Sequence, residues 1–146
     1  MLLLLTIPMF PIKSDDTKMT AKRNTFTTVI NCMDGRVQIP VIEYIKEKYN
    51  ADYVDMITEP GPNLILSENT DKQLTESIKR RVSISVQKHG SKLIAIVGHH
   101  DCAGNPADKD TQLHHIRKSI KTIKSWNFDV RIFGLWVDPD WHVKEV

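Results

Sequence analysis

The run Lys92-Leu93-Ile94-Ala95-Ile96-Val97 constrains this chain more than any other stretch, because it is nearly continuous in apolar residues. So short and so apolar a segment has no polar face for water, and it reads as a strand buried on both sides, as in a parallel sheet. Its flanks agree. Residues 70 to 88 repeat Leu74, Ile78, Val82 and Val86 every fourth position, one apolar stripe of a helix that stops at His89-Gly90. Residues 108 to 125 place Leu113, Ile116, Ile120 and Ile123 three and four apart, a second amphipathic helix. Upstream, residues 25 to 31 are rich in β-branched side chains and predict a strand. Pro40 opens a helix over 40 to 49, with Val41, Ile45 and Tyr49 on one face. Residues 52 to 57 predict a second strand, closed by the turn cluster Glu59-Pro60-Gly61-Pro62-Asn63. Residues 129 to 137 predict a fourth strand, and the tail beyond it a short edge strand. Strands alternating with helices predict an α/β fold, a parallel sheet with helices on both faces.

The length of 146 residues suits one domain, expected over residues 23 to 146. Residues 1 to 22 read as an N-terminal extension outside the fold. Their apolar run Leu2 to Phe10 is too short to span a bilayer, and no basic residue precedes it. Met19 is then a second candidate start. An export signal is the competing reading of residues 1 to 18, against a cytoplasmic location. Twenty Lys and Arg against 18 Asp and Glu leave a net charge of +2, too balanced for a nucleic-acid or membrane partner. The basic groups Lys79-Arg80-Arg81 and Arg117-Lys118 read as solvated helix faces.

Two cysteines exclude a disulfide framework, though not a single Cys32–Cys102 bridge. Both follow predicted strands: Cys32 the first, and Cys102, with His99, the third. In open parallel sheets ligands bind beyond the carboxyl ends of the strands, where strand order reverses. If the first and third strands are neighbours, these two loops face one crevice. Two thiolates and an imidazole are a ligand set for zinc that leaves the fourth position open. Taken singly, each residue is more ordinarily a buried filler or a surface group. Asp34 and Arg36 share the turn after Cys32. They form either a surface ion pair of little consequence or a pair beside the metal. In the second case Asp34 occupies the fourth zinc position or accepts a proton from bound water, and Arg36 grips it. Gly98 and Gly104 read as residues of tight loop turns. His100, His114 and His115 are candidate proton relays, although adjacent helical residues cannot both face one site. His89 and His142 read as surface residues.

The sequence Cys32-Met33-Asp34-Gly35-Arg36, followed by Gly98-His99-His100-Asp101-Cys102-Ala103-Gly104, resembles the β-class carbonic anhydrases over residues 24 to 143. The resemblance implies a four-stranded parallel core in order 2-1-3-4 and a homodimer or larger assembly. It implies one Zn2+ per chain on Cys32, His99 and Cys102, and Asp34 with Arg36 as the catalytic dyad. The implied reaction is hydration of CO2 to bicarbonate. The chain departs from the family pattern in three ways. Thr58-Glu59-Pro60-Gly61 stands where Arg-Asn-Ala-Gly is usual, and His100 where Ser or Thr is usual. The long N-terminal helical arm has no counterpart. These differences point to a compact, divergent member and leave open a related substrate such as COS or CS2, or a zinc-binding module without catalysis.

Overall fold

The computed structural model describes residues 24–146, so the expected N-terminal extension lies outside the described residues. The chain forms β1 (Phe26–Cys32), a 3-10 turn (Gly35–Val37), α1 (Gln38–Tyr49), β2 (Tyr53–Glu59), α2 (Pro62–Glu68) and α3 (Lys72–Gln87). It continues through β3 (Leu93–His99), α4 (Lys109–Lys124), β4 (Arg131–Val137) and β5 (Val143–Glu145). The strands build one sheet in the order β2-β1-β3-β4-β5. The first four are parallel, and β5 returns antiparallel along β4, pairing Trp136 with Lys144. The α/β sheet in order 2-1-3-4 and its short C-terminal edge strand are therefore both present.

Strand order dictates where the helices lie. From β1 the chain steps outward to β2, then crosses back over β1 to β3 and on to β4. Right-handed crossovers in opposite directions put their helices on opposite faces. Accordingly Val41 and Ile45 of α1 pack on Val29, Ala95, Val97, Phe133 and Leu135. Leu66 of α2, Ile78 and Val82 of α3, and Ile116 and Ile123 of α4 pack on Ile30, Ile57, Ile94 and Ile96. Neighbouring residues of β3 thus serve opposite cores, which is why that strand is apolar throughout.

Three details differ from expectation. Pro40 is the third residue of α1 rather than its first, because the 3-10 turn leads the chain into the helix early. Proline costs nothing there, since the first helical amides lack intrahelical partners. The Pro-Gly-Pro cluster is not only a turn: Gly61 (φ +60°) precedes α2, and Pro62 starts it with its φ already helical. Arg81 is not simply solvated but pairs with Glu59 at the end of β2. Among the described residues no helix is long and apolar enough to cross a membrane.

Candidate metal centre

β1 and β3 run side by side, Ile30 opposite Ile96, and reach the same edge of the sheet. Cys32 and His99 are their last residues rather than the first residues of loops. The strands themselves thus deliver two ligand candidates to one edge, and Cys102 follows three residues on. The ligand atoms of Cys32, His99 and Cys102 all lie within 4.8 Å of one another, and all three residues are buried. This is the reversal point of strand order, as expected for a doubly wound sheet.

The donor set fits a tetrahedral ion. The two sulfurs stand 3.8 Å apart and unbonded, far beyond the ~2.05 Å of a disulfide. Two sulfurs each about 2.3 Å from a tetrahedral zinc would be separated by about 3.8 Å. The Nδ1 atom of His99 is 2.7 Å from the His100 carbonyl oxygen, to which it donates. The lone pair of Nε2 is thereby turned to the sulfurs, and Nε2 is a buried atom that makes no hydrogen bond of good geometry, its polar neighbour being the Cys32 sulfur. A buried nitrogen with nothing to bond is costly unless it has a ligand to meet. Such a second bond from the far ring nitrogen is also the usual way a protein fixes the tautomer of a metal-binding histidine.

Electrostatics favour thiolate here. Hydrogen bonding to Cys102 holds the Cys32 thiol well below its usual range, against the opposing effect of burial. The same contact pushes the Cys102 thiol up, so the two sulfurs titrate as a pair. Nearby backbone amides, those of Gly61 and Asp34 at Cys32 and of Asn105 and Gly104 at Cys102, act to lower both thiols. Burial lowers the His99 pKa, but the Cys32 sulfur and the His100 carbonyl more than offset it and the net shift is upward.

Asp34 faces Arg36 with both carboxylate oxygens. Its Oδ2 lies 2.7 Å from Nη2, and its Oδ1 accepts from the Arg36 side chain at 3.1 Å and backbone at 2.9 Å. The Arg36 hydrogen bonds hold its carboxyl at about 2. Asp34 is therefore an ionised acceptor engaged by Arg36, and it is not part of the Cys32-His99-Cys102 cluster. Arg36 is itself braced: Nη1 donates to Asp101 at 3.1 Å, and the guanidinium lies over the Trp141 ring, 4.9 Å from its centroid. Nothing local in the sequence ties Asp101 or Trp141 to Arg36; only the fold brings them together.

The third loop of the site is the one following β2. A Cβ on Gly61 would fall 2.5 Å from the Gly104 carbonyl carbon, and one on Gly104 would fall 2.4 Å from that of Pro60. The two backbones touch, so Gly104 serves close approach, and Gly98 lies inside β3 rather than in a loop. A cleft of about 360 Å³ lined by Cys32, Met33, Asp34, Gly35, Pro60, Ala103 and Gly104 opens beside the sulfurs. Of the relay candidates, His100 and His114 are exposed. The half-buried His115 contacts Asn105, whose Nδ2 lies 3.1 Å from its Nδ1. His89 pairs with Asp55 and stacks on Phe26.

Sheet order 2-1-3-4 with a Cys-His-Cys cluster at its carboxyl edge is what the resemblance to the β-carbonic anhydrases implies. The model of the family described as "Putative carbonic anhydrase" matches residues 22–146, and the chain belongs to that family. The fold is similar to the crystal structure of the β-carbonic anhydrase of the fungal pathogen Aspergillus fumigatus. That similarity has a TM-score of 0.51 at 11% identity, covering 88% of this chain and 78% of that one. It is equally similar to a tetrameric β-carbonic anhydrase of the filamentous ascomycete Sordaria macrospora, with a TM-score of 0.51 at 16% identity, covering 88% and 84%. No curated protein matches the chain significantly.

Proposed function

We propose that this chain hydrates CO2 to bicarbonate with one zinc ion held by Cys32, His99 and Cys102. The observation that carries the reading is the orphaned Nε2 of His99 facing two sulfurs at tetrahedral spacing, next to a carboxylate held aside by Arg36. Zinc in such a set supplies Lewis acidity that lowers the pKa of a water to about 7. The protein's own residues do the rest. Arg36 keeps Asp34 from closing the fourth ligand position. Asp34, ionised at neutral pH, accepts a hydrogen bond from the attacking water and orients it. The cleft beside Cys32 presents Met33, Pro60, Ala103 and Gly104, a small and largely apolar lining suited to a neutral linear molecule without hydrogen-bond donors.

Pro60, in the loop that departs from the family's usual sequence, lines that cleft, and hydrolysis of COS or CS2 by the same residues is the second reading. A homodimer or larger assembly is part of the proposal. Trp136 is buried and Trp141 lies under Arg36, so neither offers a free apolar surface for it. Met33 and Ile39, 63% and 60% exposed, are apolar surface that an assembly would cover. Light scattering that shows a monomer at micromolar concentration refutes the assembly. Two thiolate ligands suit a reducing, cytoplasmic setting.

The test is stopped-flow CO2 hydration on protein of measured zinc content, with COS and CS2 assayed in parallel. One zinc per chain with CO2 turnover is expected. One zinc per chain with no turnover of any of the three substrates would leave a non-catalytic zinc module.

A further inference from the structure

Behind the ligand cluster, between α2, α4 and the end of β3, three carboxamides are buried together. Asn63, Asn105 and Gln112 are 1%, 1% and 0% exposed. Gln112 reaches up from the first turn of α4. Its Nε2 donates to the carbonyl oxygens of His99 at 2.8 Å and Asn105 at 3.0 Å. Its Oε1 accepts from Asn63 Nδ2 at 3.1 Å. Asn105 Nδ2 in turn donates to Asn63 Oδ1 at 3.2 Å. Ser119 of α4 donates to the Asn63 carbonyl at 2.7 Å. A Cβ on Gly98 would meet Asn63 Nδ2 at 2.8 Å and Gln112 Oε1 at 3.0 Å, so glycine in β3 makes room for the cluster.

A polar group with no exposure costs stability unless its bonds are made, and these groups could be replaced by apolar ones at little loss to the fold. What the cluster does that apolar residues cannot is grip one loop at both ends. The first anchor is the carbonyl of His99 itself and the second that of Asn105, and Cys102 lies between them. The amide of Asn105 bonds the Cys102 carbonyl at 3.2 Å and also points at the Cys102 sulfur. We propose that Asn63, Asn105 and Gln112 are positioning residues that set the geometry of the His99–Cys102 ligand pair. Ligand atoms must stand within a few tenths of an ångström of their places before metal binding is tight, and partners behind the ligands commonly hold them there. The proposal rests on the metal-site reading above, not on the identity of the substrate.

The experiment is competitive zinc titration against a chelator, with cobalt(II) absorption as a second readout, on wild type, Gln112→Met and Ile123→Val. Methionine matches glutamine in length and flexibility but makes none of its bonds. Ile123→Val loosens the same helix elsewhere and reports what lost stability alone does. Gln112→Met is expected to bind zinc about 10- to 100-fold more weakly and to show altered visible cobalt bands. Ile123→Val should bind like wild type with an unchanged spectrum. If Gln112→Met fails to fold, Asn105→Ala, which removes one arm and leaves both loop carbonyls anchored, should weaken zinc in the same direction by less. Wild-type affinity and spectrum in the folded Gln112 variant, or in Asn105→Ala where only that folds, would overturn the proposal, as would equal weakening in Ile123→Val. A wild-type protein that takes up neither metal would overturn the metal site itself and this inference with it.

Discussion

The two loops that build the site are held in opposite ways. The Cys32 turn is fixed largely from within its own stretch of chain, with Arg36 reaching out to Asp101 and Trp141 as well. Asp34 caps the 3-10 turn through the Arg36 amide. Gln38 Nε2 donates to the carbonyls of Cys32 at 2.7 Å and Asp34 at 2.8 Å, and Asn31 Oδ1 accepts from the Cys32 amide at 2.9 Å. The His99–Cys102 loop is fixed from afar, by Gln112 and Asn63 beneath it and by Pro60-Gly61 beside it. The first loop carries its charged pair at the surface, where Arg36 meets Asp34, Asp101 and the Trp141 ring. The second cannot move without opening a helix interface. Chemistry that must shift, the Asp34–Arg36 pair, sits on the locally held loop, while two of the three ligand candidates sit on the one locked by tertiary structure.

The largest effect should erase the difference between the loops. Cys32→Ser and Cys102→Ser should each abolish stoichiometric zinc, since a hydroxyl is a far poorer ligand than a thiolate and only two strong donors remain. Elemental analysis of purified variants checks this, and full zinc in Cys102→Ser would remove the metal site as drawn. Both variants should also lose thermal stability relative to the zinc-loaded protein, because metal binding contributes to folding.

Asp34→Ala and Arg36→Ala should separate the loops again. Both leave Cys32, His99 and Cys102 in place, so zinc content should stay near one per chain. Loss of a positioned acid–base group typically costs 10²-fold or more in rate, and about that loss of CO2 hydration is expected for Asp34→Ala. Arg36→Ala should lower turnover too, by freeing the carboxylate to cap the metal. A plain surface ion pair would change the rate by only about twofold, so near-wild-type rates in zinc-loaded variants would return the pair to that status.

The same contrast explains what the sequence disclosed. Cys32, Asp34 and Arg36 are neighbours in the chain, and the Asp34–Arg36 pairing is readable from their spacing. The apolar run at 92 to 97 and the fourfold stripes of α3 and α4 reported the fold because burial on one or two faces leaves a periodic mark. The carboxamide cluster left none. Asn63 sat in a Pro-Gly-Pro stretch that reads as a turn, and α2 was hidden with it. Gln112 occupies a buried face of α4 where the stripe Leu113, Ile116, Ile120 drew attention to its neighbours. Polar residues buried for each other's sake have no period, and only the packing of α2 on α4 brings these together.

Gly104→Ala should act on the second loop through sterics alone. The new Cβ would meet backbone atoms of Pro60 and Gly61 at 2.4 to 2.7 Å, and backbone cannot swing aside as a side chain can. Overpacking of this kind costs about 1–3 kcal/mol. Chemical denaturation should show that loss, together with weaker zinc binding, because Gly104 also directs an amide at the Cys102 sulfur. The matching change in the first loop, Gly35→Ala, meets nothing within 4 Å and should be nearly silent. Equal effects of the two would mean that the loops are not seated as differently as they look.

The smallest effect tests the foundation of the second loop. Asp108 is the N-cap of α4, accepting from the Thr111 amide at 2.9 Å, and α4 carries Gln112 one turn later. Hydrogen bonding to Thr111 lowers the Asp108 pKa in the folded chain. A depressed carboxyl pKa means that the folded state favours the ionised form, so the cap contributes fully above the unfolded value of about 3.9. That contribution is lost as pH falls through the lower folded value. Asp108→Ala should therefore lower the urea midpoint by a modest and constant amount from pH 7 down to about pH 5. Below that the gap should narrow, because acid removes from wild type what the substitution has already removed. The side chain is fully solvated in electrostatic terms, so salt should also narrow the gap. A difference that is unchanged at pH 3 would mean that Asp108 acts by packing rather than as a charged cap. Zinc affinity should fall little, since the Gln112 bonds to His99 and Asn105 lie inside the helix interface and not at its frayed end. A large loss of zinc in Asp108→Ala would show instead that the ligand loop depends on the helix start as much as on the buried amides.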